Sequence, residues 1–471
     1  MSGKMSDPFL DALCAAIGAD RLTGELEAMA PWLTDWRGRW TGTARALAEP
    51  RSTGEVAALV ALAAEHRVPI VPQGGNTSMV GGATPDSSGT ALLVSLRRMN
   101  RIRAISPTMA VAEAGVILEH LHEAAAVQGS RFPLTLGARG SATLGGLAAA
   151  NAGGTQVLRF GTMRRLVLGV EAVLPDGSVH DGLAALKKDN RGYNLDQLLV
   201  GSEGTLGIIT ALALQLVPAV AARAVAWVGL AGPHQALALL RRLEAGTERV
   251  EGYELVPDDC LQRVIAHIPG SRAPLAGRHR WHVLIEATAA SMEGEQPAAL
   301  IERLLAPAIA DGLVEDAAIA ANEAQADAFW RLRDTISEAE RADGPALQHD
   351  VSVPVEAMPD FLVEGAAAVE RTFPGTDASG FGHLGDGNVH FHIRAPTVDP
   401  EGWIAREGAA ASRLVHDLVS AAGGSISAEH GIGQMKRDEL VRLLPPARMA
   451  AMRAIKAALD PRNILNPGKL L

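Results

Sequence analysis

Residues 68–78 read VPIVPQGGNTS, an apolar run that passes directly into a turn of small residues. Alternating branched and proline residues favour an extended backbone up to Pro72, and the two glycines then allow main-chain N–H groups to come close to an anion. Asn76, Thr77 and Ser78 add side-chain donors. The loop therefore has the chemistry to cradle a pyrophosphate. It is not the usual dinucleotide fingerprint, because no GxGxxG opens a helix here and no acidic residue follows at the required spacing. No GK[ST] phosphate loop occurs anywhere in the chain, so NAD-type and P-loop readings fall away.

Working outward, the pattern predicts a helix over Glu55 to Glu65, a strand over Val68 to Pro72, strands around Ala91 to Ser95 and Val111 to Glu113, and a helix over Ile117 to Val127. A second glycine-dense segment, LGARGSATLGG from Leu136, leads to NAGG at Asn151 to Gly154, and a third, GSEGTLGII, begins at Gly201. Such loops converging from one region suit a single long ligand; taken one at a time, each also reads as a tight turn between packed strands. Val170 to Leu174 reads as a strand, Pro175 to Ser178 as a turn and Ser178 to His180 as its return. This is an α+β pattern rather than a βαβ repeat.

At 471 residues, two or three domains are expected. With 48% hydrophobic and 20% charged residues the composition is globular, and a net charge of -10 argues against nucleic acid or an anionic membrane surface as partner. Two cysteines far apart in sequence, Cys14 and Cys260, allow at most one long-range disulfide and exclude a bridge framework or a CxxC metal site. With no signal-peptide core at the amino terminus and no membrane-length apolar run, a cytoplasmic protein without an integral membrane segment is expected. A short helix is predicted over Asp7 to Gly18, and Trp32, Trp36 and Trp40 read as packing anchors. After Pro218 the chain turns Ala- and Leu-rich, with helices over His234 to Glu244 and Glu323 to Arg341 and a strand over Trp281 to Glu286. The closing stretch is mainly helical and ends in an ordered loop over Asn463 to Lys469. The expected divisions are 1–45, 46–218, 219–425 and 426–471.

The most reactive stretch is GHLGDGNVHFH, Gly382 to His392. As a strand, Val389 to Ile393 sends His390 and His392 to one face and Val389, Phe391 and Ile393 to the other. Asp386-Gly387 is a hairpin signal that folds His383 back beside His390, close enough for two imidazoles to share a metal. Ordinary histidines in a polar cleft are the plain alternative.

Taken in order, PQGGNTSMVGG, LGARGSATLGG, NAGG, GSEGTLGIIT, GHLGDGNVH, SAEHGIG and ILNPGK resemble the FAD-linked D-2-hydroxyacid dehydrogenases, which include D-2-hydroxyglutarate and D-lactate dehydrogenases and the flavin subunit of glycolate oxidase. The resemblance runs from about Arg51 to the end of the chain. It implies a vanillyl-alcohol-oxidase (PCMH) type fold: an FAD-binding domain of two α+β subdomains, a cap built on an antiparallel sheet, and a helical C-terminal segment closing the flavin site. Pyrophosphate would lie on Gln73 to Thr77 (Pro72, Gln73, Gly74, Gly75, Asn76, Thr77), and other parts of FAD on Thr135, Gly137, Ser141, Gly145, Asn151, Glu203, Gly204, Ile209 and Asn466. Neither Gln73 to Gly82 nor Gly137 to Gly154 holds a histidine or cysteine, so non-covalent FAD is expected.

The same resemblance makes His383, His390 and Glu429 ligands of a divalent metal, zinc being the first choice, and His430 the base that takes the hydroxyl proton as hydride leaves for flavin N5. His430 as a fourth ligand and Asp386 as a ligand are the alternatives, the latter weakened because an Asp between glycines is usually a turn residue. Activity should fall as pH drops through the ordinary histidine range, about 6.5. Arg333, with Ser337 a helical turn later, offers a carboxylate site; a surface salt bridge with Glu323 or another nearby acid is the plain alternative for Arg333. Family members acting on D-2-hydroxyglutarate carry lysine where this chain has Gln348, and commonly asparagine where it has His392, which leaves D-malate, D-lactate and larger hydroxyacids open. Without an iron-sulfur cysteine set, electrons would leave to a separate quinone, cytochrome or electron-transfer flavoprotein. A homodimer is compatible with this reading. A flavin-free zinc hydrolase and a non-catalytic flavin scaffold are the competing classes.

Overall fold

In the computed structural model, which describes residues 7–471, Ile70–Gln73 is a strand running parallel to Leu92–Ser95, itself parallel to Ala46–Ala48. Leu22–Thr23 joins the far edge antiparallel to Ala46–Ala48. These strands are short apolar runs, as strands buried on both faces must be. The other edge, at Ile70, is met by the end of the chain: Ile70 N–H donates to Ile464 O at 2.7 Å and Asn466 N–H to Ile70 O at 2.8 Å. The helix Thr53–His66 is capped by Ser52, whose Oγ accepts from Glu55 N–H, and buries Val56, Leu59, Val60 and Ala63 on one stripe.

A second, five-stranded sheet follows in the order Ile102–Ser106, Met109–Glu113, Ile208–Gln215, Val167–Val173, Val179–Asp181, antiparallel throughout. Its first strand was not anticipated, because Arg101, Arg103 and Ser106 dilute the apolar pattern. Those arginines pair with buried Glu113 on the neighbouring strand. Both sheets belong to one compact unit, Met1–Gly154, Gly161–Ala219 and Glu429–Leu471. Met1 to Ser6, at the start of the predicted 1–45 segment, lie outside the described residues. Of the three tryptophans read as anchors, Trp32 packs beside Met29 and Leu33, whereas Trp36 is 65% exposed and anchors nothing; its loop is held instead by Asp35, which accepts from the Arg37 and Trp40 N–H groups.

The second unit, Thr155–Phe160 and Val220–Ala428, is built on a seven-stranded antiparallel sheet. Its order is Asp316–Ile319, Ala222–Leu230, Trp281–Ala289, Val250–Pro257, Asp377–His383, Asn388–Arg394, Ala346–Ser352. The period of two along a strand sorts the core. Ala224, Ala226, Val228 and Leu230 face helices Pro233–Gly246 and Pro297–Ala310, while Val225 and Trp227 face helices Asp258–His267 and Glu323–Asp334. Val389, Phe391 and Ile393 join the first side, with Met358–Thr372 and Pro400–Ala421 packed over them. The histidines are thereby left to the second side.

The single helix expected over Glu323 to Arg341 is two helices, Glu323–Asp334 and Ile336–Ala342. At Thr335, ψ opens to 5° and the hydroxyl bonds back to Arg331 O at 2.7 Å, competing with the helical ladder. Among the described residues, no helix is long and apolar enough to cross a membrane. Trp227, fully buried between sheet and helices, carries much of the second-side core. Trp227→Ala should cost about 3–5 kcal/mol, read as a lower urea midpoint by far-UV circular dichroism.

Candidate active site

The turn between the two histidine strands is built by its small residues. Gly387 has φ +78°, and a Cβ there would lie 2.0 Å from Val353 O, so only glycine fits. Asp386 Oδ1 accepts the Asn388 N–H at 3.0 Å, so this carboxylate serves the turn, as its position between glycines suggested. With the turn set, Phe381 pairs with His390 and Ser379 with His392 across the hairpin, while Asp350 and Gln348 oppose them from the other side. The His383 and His390 ring centroids are 5.8 Å apart. One ligand atom from each of His383, His390 and Glu429 lies within 4.8 Å of the others. His430 follows Glu429 in the chain and is half-buried.

Behind the cluster stands Glu254, which the sequence reading passed over. It sits opposite His383 in the register between Val250–Pro257 and Asp377–His383. Its Oε1 is 2.5 Å from His383 Nδ1, and its Oε2 accepts from Arg333 Nε at 2.7 Å. The Arg333 guanidinium also lies 5.4 Å from the Phe381 ring centre. Burial alone would raise the Glu254 pKa, but the charges of Arg333 and His383 outweigh it and hold the carboxyl far below its ordinary range. For His383, burial pulls downward while Glu254 pulls upward and prevails, to about 9. His390 is driven well below its ordinary value by burial, reinforced by the positive charges of Arg333 and His383.

The predicted substrate groups divide. Arg333 ends one helix and is committed to Glu254; Ser337 opens the next and is half-buried. Gln348 and His392 are cross-strand partners in one rank with Ser379. His392 Nδ1 also pairs with the buried carboxylate of Glu340, another residue that sequence reasoning missed. Glu254 left a signal, as a charge inside the strand VEGYELVP; Glu340 left none, since its helix reads as ordinarily amphipathic.

In the other unit the glycine loops meet. A Cβ on Gly75 would lie 2.0 Å from Ser141 O, and one on Gly74 would lie 2.2 Å from Thr143 Oγ1, so the first and second glycine segments touch backbone to backbone. Many predicted cofactor residues brace these loops. Gln73 Nε2 donates to Trp32 O and Ala83 O, and Asn76 Nδ2 to Thr34 O. Asn151 Oδ1 accepts from Thr162 Oγ1 and the Arg164 N–H. Glu203 accepts the Ile432 and Gly433 N–H groups, and Asn466 Nδ2 donates to Gly82 O and Glu203 O. Gly204 packs against Pro72, Gly145 against Ala114, and Gly154 against Thr135 O; Ile209 is buried in its strand, while nothing crowds Gly137. Thr143 and Ser202, not predicted individually, have buried hydroxyls with no hydrogen-bond partner in the protein. Orphaned buried hydroxyls beside a glycine-to-backbone cradle fit a polar, phosphate-bearing cofactor.

Comparison with known proteins identifies the family. Residues 44–182 match the model of an FAD binding domain, and residues 220–470 that of the C-terminal domain of FAD linked oxidases. D-2-hydroxyglutarate dehydrogenase of Xanthomonas citri pv. viticola is 37% identical over 99% of this chain and 97% of its own. The mitochondrial D-2-hydroxyglutarate dehydrogenase of Bos taurus is 36% identical over 96% of this chain and 81% of its own. Among solved structures, p-cresol methylhydroxylase with substrate bound superposes with a TM-score of 0.74 at 17% identity, covering 98% of this chain and 96% of that one, which establishes the fold alone. The expected α+β, PCMH-type architecture with antiparallel sheets is therefore present, and the FAD-binding domain supplies the cofactor's identity. Gly75→Ala should purify with little of the wild-type flavin absorbance, because Ser141 O is main chain and has no room to yield. Gly24→Ala, where nothing lies within 4 Å, should keep its flavin.

Proposed function

The chain belongs to the FAD-linked oxidases, and on that premise we propose that it oxidises a D-2-hydroxyacid to the 2-oxoacid, using a divalent cation at His383, His390 and Glu429 and His430 as base. It is an FAD-dependent oxidoreductase related to D-2-hydroxyglutarate dehydrogenases. The observation that carries the finer reading is the convergence of three ligand atoms within 4.8 Å, two imidazole and one carboxylate, a donor set that suits zinc and leaves coordination positions for substrate. FAD, when bound, supplies the acceptor for the hydride from C2. The cation, when bound, supplies the Lewis acidity that makes a coordinated hydroxyl easier to deprotonate.

The protein's own groups do the remainder. A ring nitrogen of His430 takes the hydroxyl proton, which requires the neutral imidazole. Arg333, held on Glu254, meets a substrate carboxylate, and Phe381, packed tilted against His390 and edge-on to His392, keeps the same face partly dry. Gln73 to Gly82 and Gly137 to Gly154 carry no histidine or cysteine to which a flavin could be tethered, which supports non-covalent FAD. The hydrolase alternative loses support, since two family models place the chain among flavin enzymes. A separate electron acceptor and a cytoplasmic setting remain part of the proposal, the latter supported by the free thiols of Cys14 and Cys260.

The relatives' activity makes D-2-hydroxyglutarate the first substrate to try, with Gln348 and the His392–Glu340 pair supplying less positive charge for a distal carboxylate than a lysine would. Under anaerobic mixing, D- but not L-hydroxyacids should bleach the flavin. His430→Asn should slow that bleaching by about 10²–10⁴-fold with FAD content unchanged; bleaching at the wild-type rate would remove His430 as base. Gln348→Lys should shift preference toward dicarboxylates, measured as the ratio of kcat/KM for D-2-hydroxyglutarate and D-lactate.

A further inference from the structure

Glu254 faces two groups to which the proposed reaction gives work. Its side chain is fully enclosed, with 0% exposure, so water does not compete for either oxygen. One explanation is purely structural: a buried carboxylate neutralised by an arginine and a histidine. That role predicts lost stability on substitution and nothing more. The geometry goes further. Because Nδ1 of His383 points at a carboxylate, it is held as the donor, and Nε2 is the nitrogen a cation would take, displacing the proton that this ring holds at neutral pH. A carboxylate behind an imidazole fixes tautomer and ring orientation together and makes the far nitrogen more basic. The second oxygen binds Arg333 through Nε, at the inner edge of the guanidinium, and so sets the plane that lies over Phe381.

We propose that Glu254 is a positioning residue that couples the two halves of the site. One oxygen holds His383 with Nε2 presented to the cation, and the other holds Arg333 in the orientation that meets the hydroxyacid carboxylate. The assignment rests on the cation-site reading given above. Glu254 itself touches neither substrate nor cation, and moves no proton. A glutamine in its place keeps the shape but offers one acceptor and one donor group, so it cannot accept from both His383 and Arg333. An aspartate keeps the charge but is shorter by one methylene, and cannot reach both at the present spacing.

The test uses the FAD-loaded protein, stripped of metal with a chelator and titrated with Zn²⁺ against a chelating dye, for wild type, His390→Ala, Glu254→Gln and Glu254→Asp. Flavin content and circular dichroism establish that each variant is folded, and KM and kcat are measured at saturating Zn²⁺. Glu254→Gln should bind zinc about 10–100-fold more weakly and, once saturated with zinc, show a raised KM with a smaller change in kcat, which a stability defect alone does not produce. Glu254→Asp should lie between it and wild type. Zinc binding by Glu254→Gln within about twofold of wild type, alongside weak binding by His390→Ala, overturns the role of Glu254 and leaves the cation site standing. Equal zinc binding by wild type and His390→Ala overturns the cation site, and this proposal with it. Should Glu254→Gln not fold, Glu254→Asp decides: native zinc affinity overturns the proposal and weakened affinity supports it.

Discussion

A carboxylate with no access to water must be balanced where it stands, and the arrangement of the second unit follows from how Glu254 is balanced. An isolated buried charge would cost several kcal/mol. Here Arg333 reaches it from the end of a helix and His383 from the neighbouring strand. Neither partner is adjacent in sequence, so the triple exists only when Val250–Pro257, Asp377–His383 and Glu323–Asp334 are all in place. One ionic contact thus ties strand register, helix position and imidazole orientation together.

The antiparallel sheet makes this economical. Each strand sends alternate residues to opposite sides, so a hairpin that buries Val389, Phe391 and Ile393 necessarily delivers His390 and His392 to the other face. Phe381, part of the second-side apolar cluster, lies within 5.1 and 5.3 Å of the two imidazole centres and lowers the local polarity around them. Burial in this packing is the larger cause of the lowered His390 pKa, and the positive charges of Arg333 and His383 add to it.

In the first unit the same economy works through backbone. Glycine loops cannot use side-chain bulk for support, so they are held by amides and carboxylates placed behind them. Gln73, Asn151, Glu203 and Asn466 bind main-chain groups and thereby fix glycine segments that would otherwise be entropically costly to order. Glu203 and Asn466 also fasten the last segment of the chain to the loop at Gly201 to Gly204. That explains why a short tail such as ILNPGK is ordered.

The residue pattern alone was enough for the α+β class, the strand entering the glycine turn, the histidine hairpin with its apolar back, and the ordered motif series that points to flavin chemistry, because each depends on local periodicity or turn chemistry. It could not show that Gln73 and Asn76 turn inward as braces, that Thr335 divides one helix into two, or that Trp36 lies in solvent, since those outcomes depend on which neighbours arrive. Glu254 and Glu340 are the clearest cases. Each is one acid among many in the sequence, and becomes particular only when folding removes water from it and sets a histidine from a distant strand within hydrogen-bonding reach. Periodicity determines which way a side chain points; only the packed structure decides what it meets there and in what dielectric.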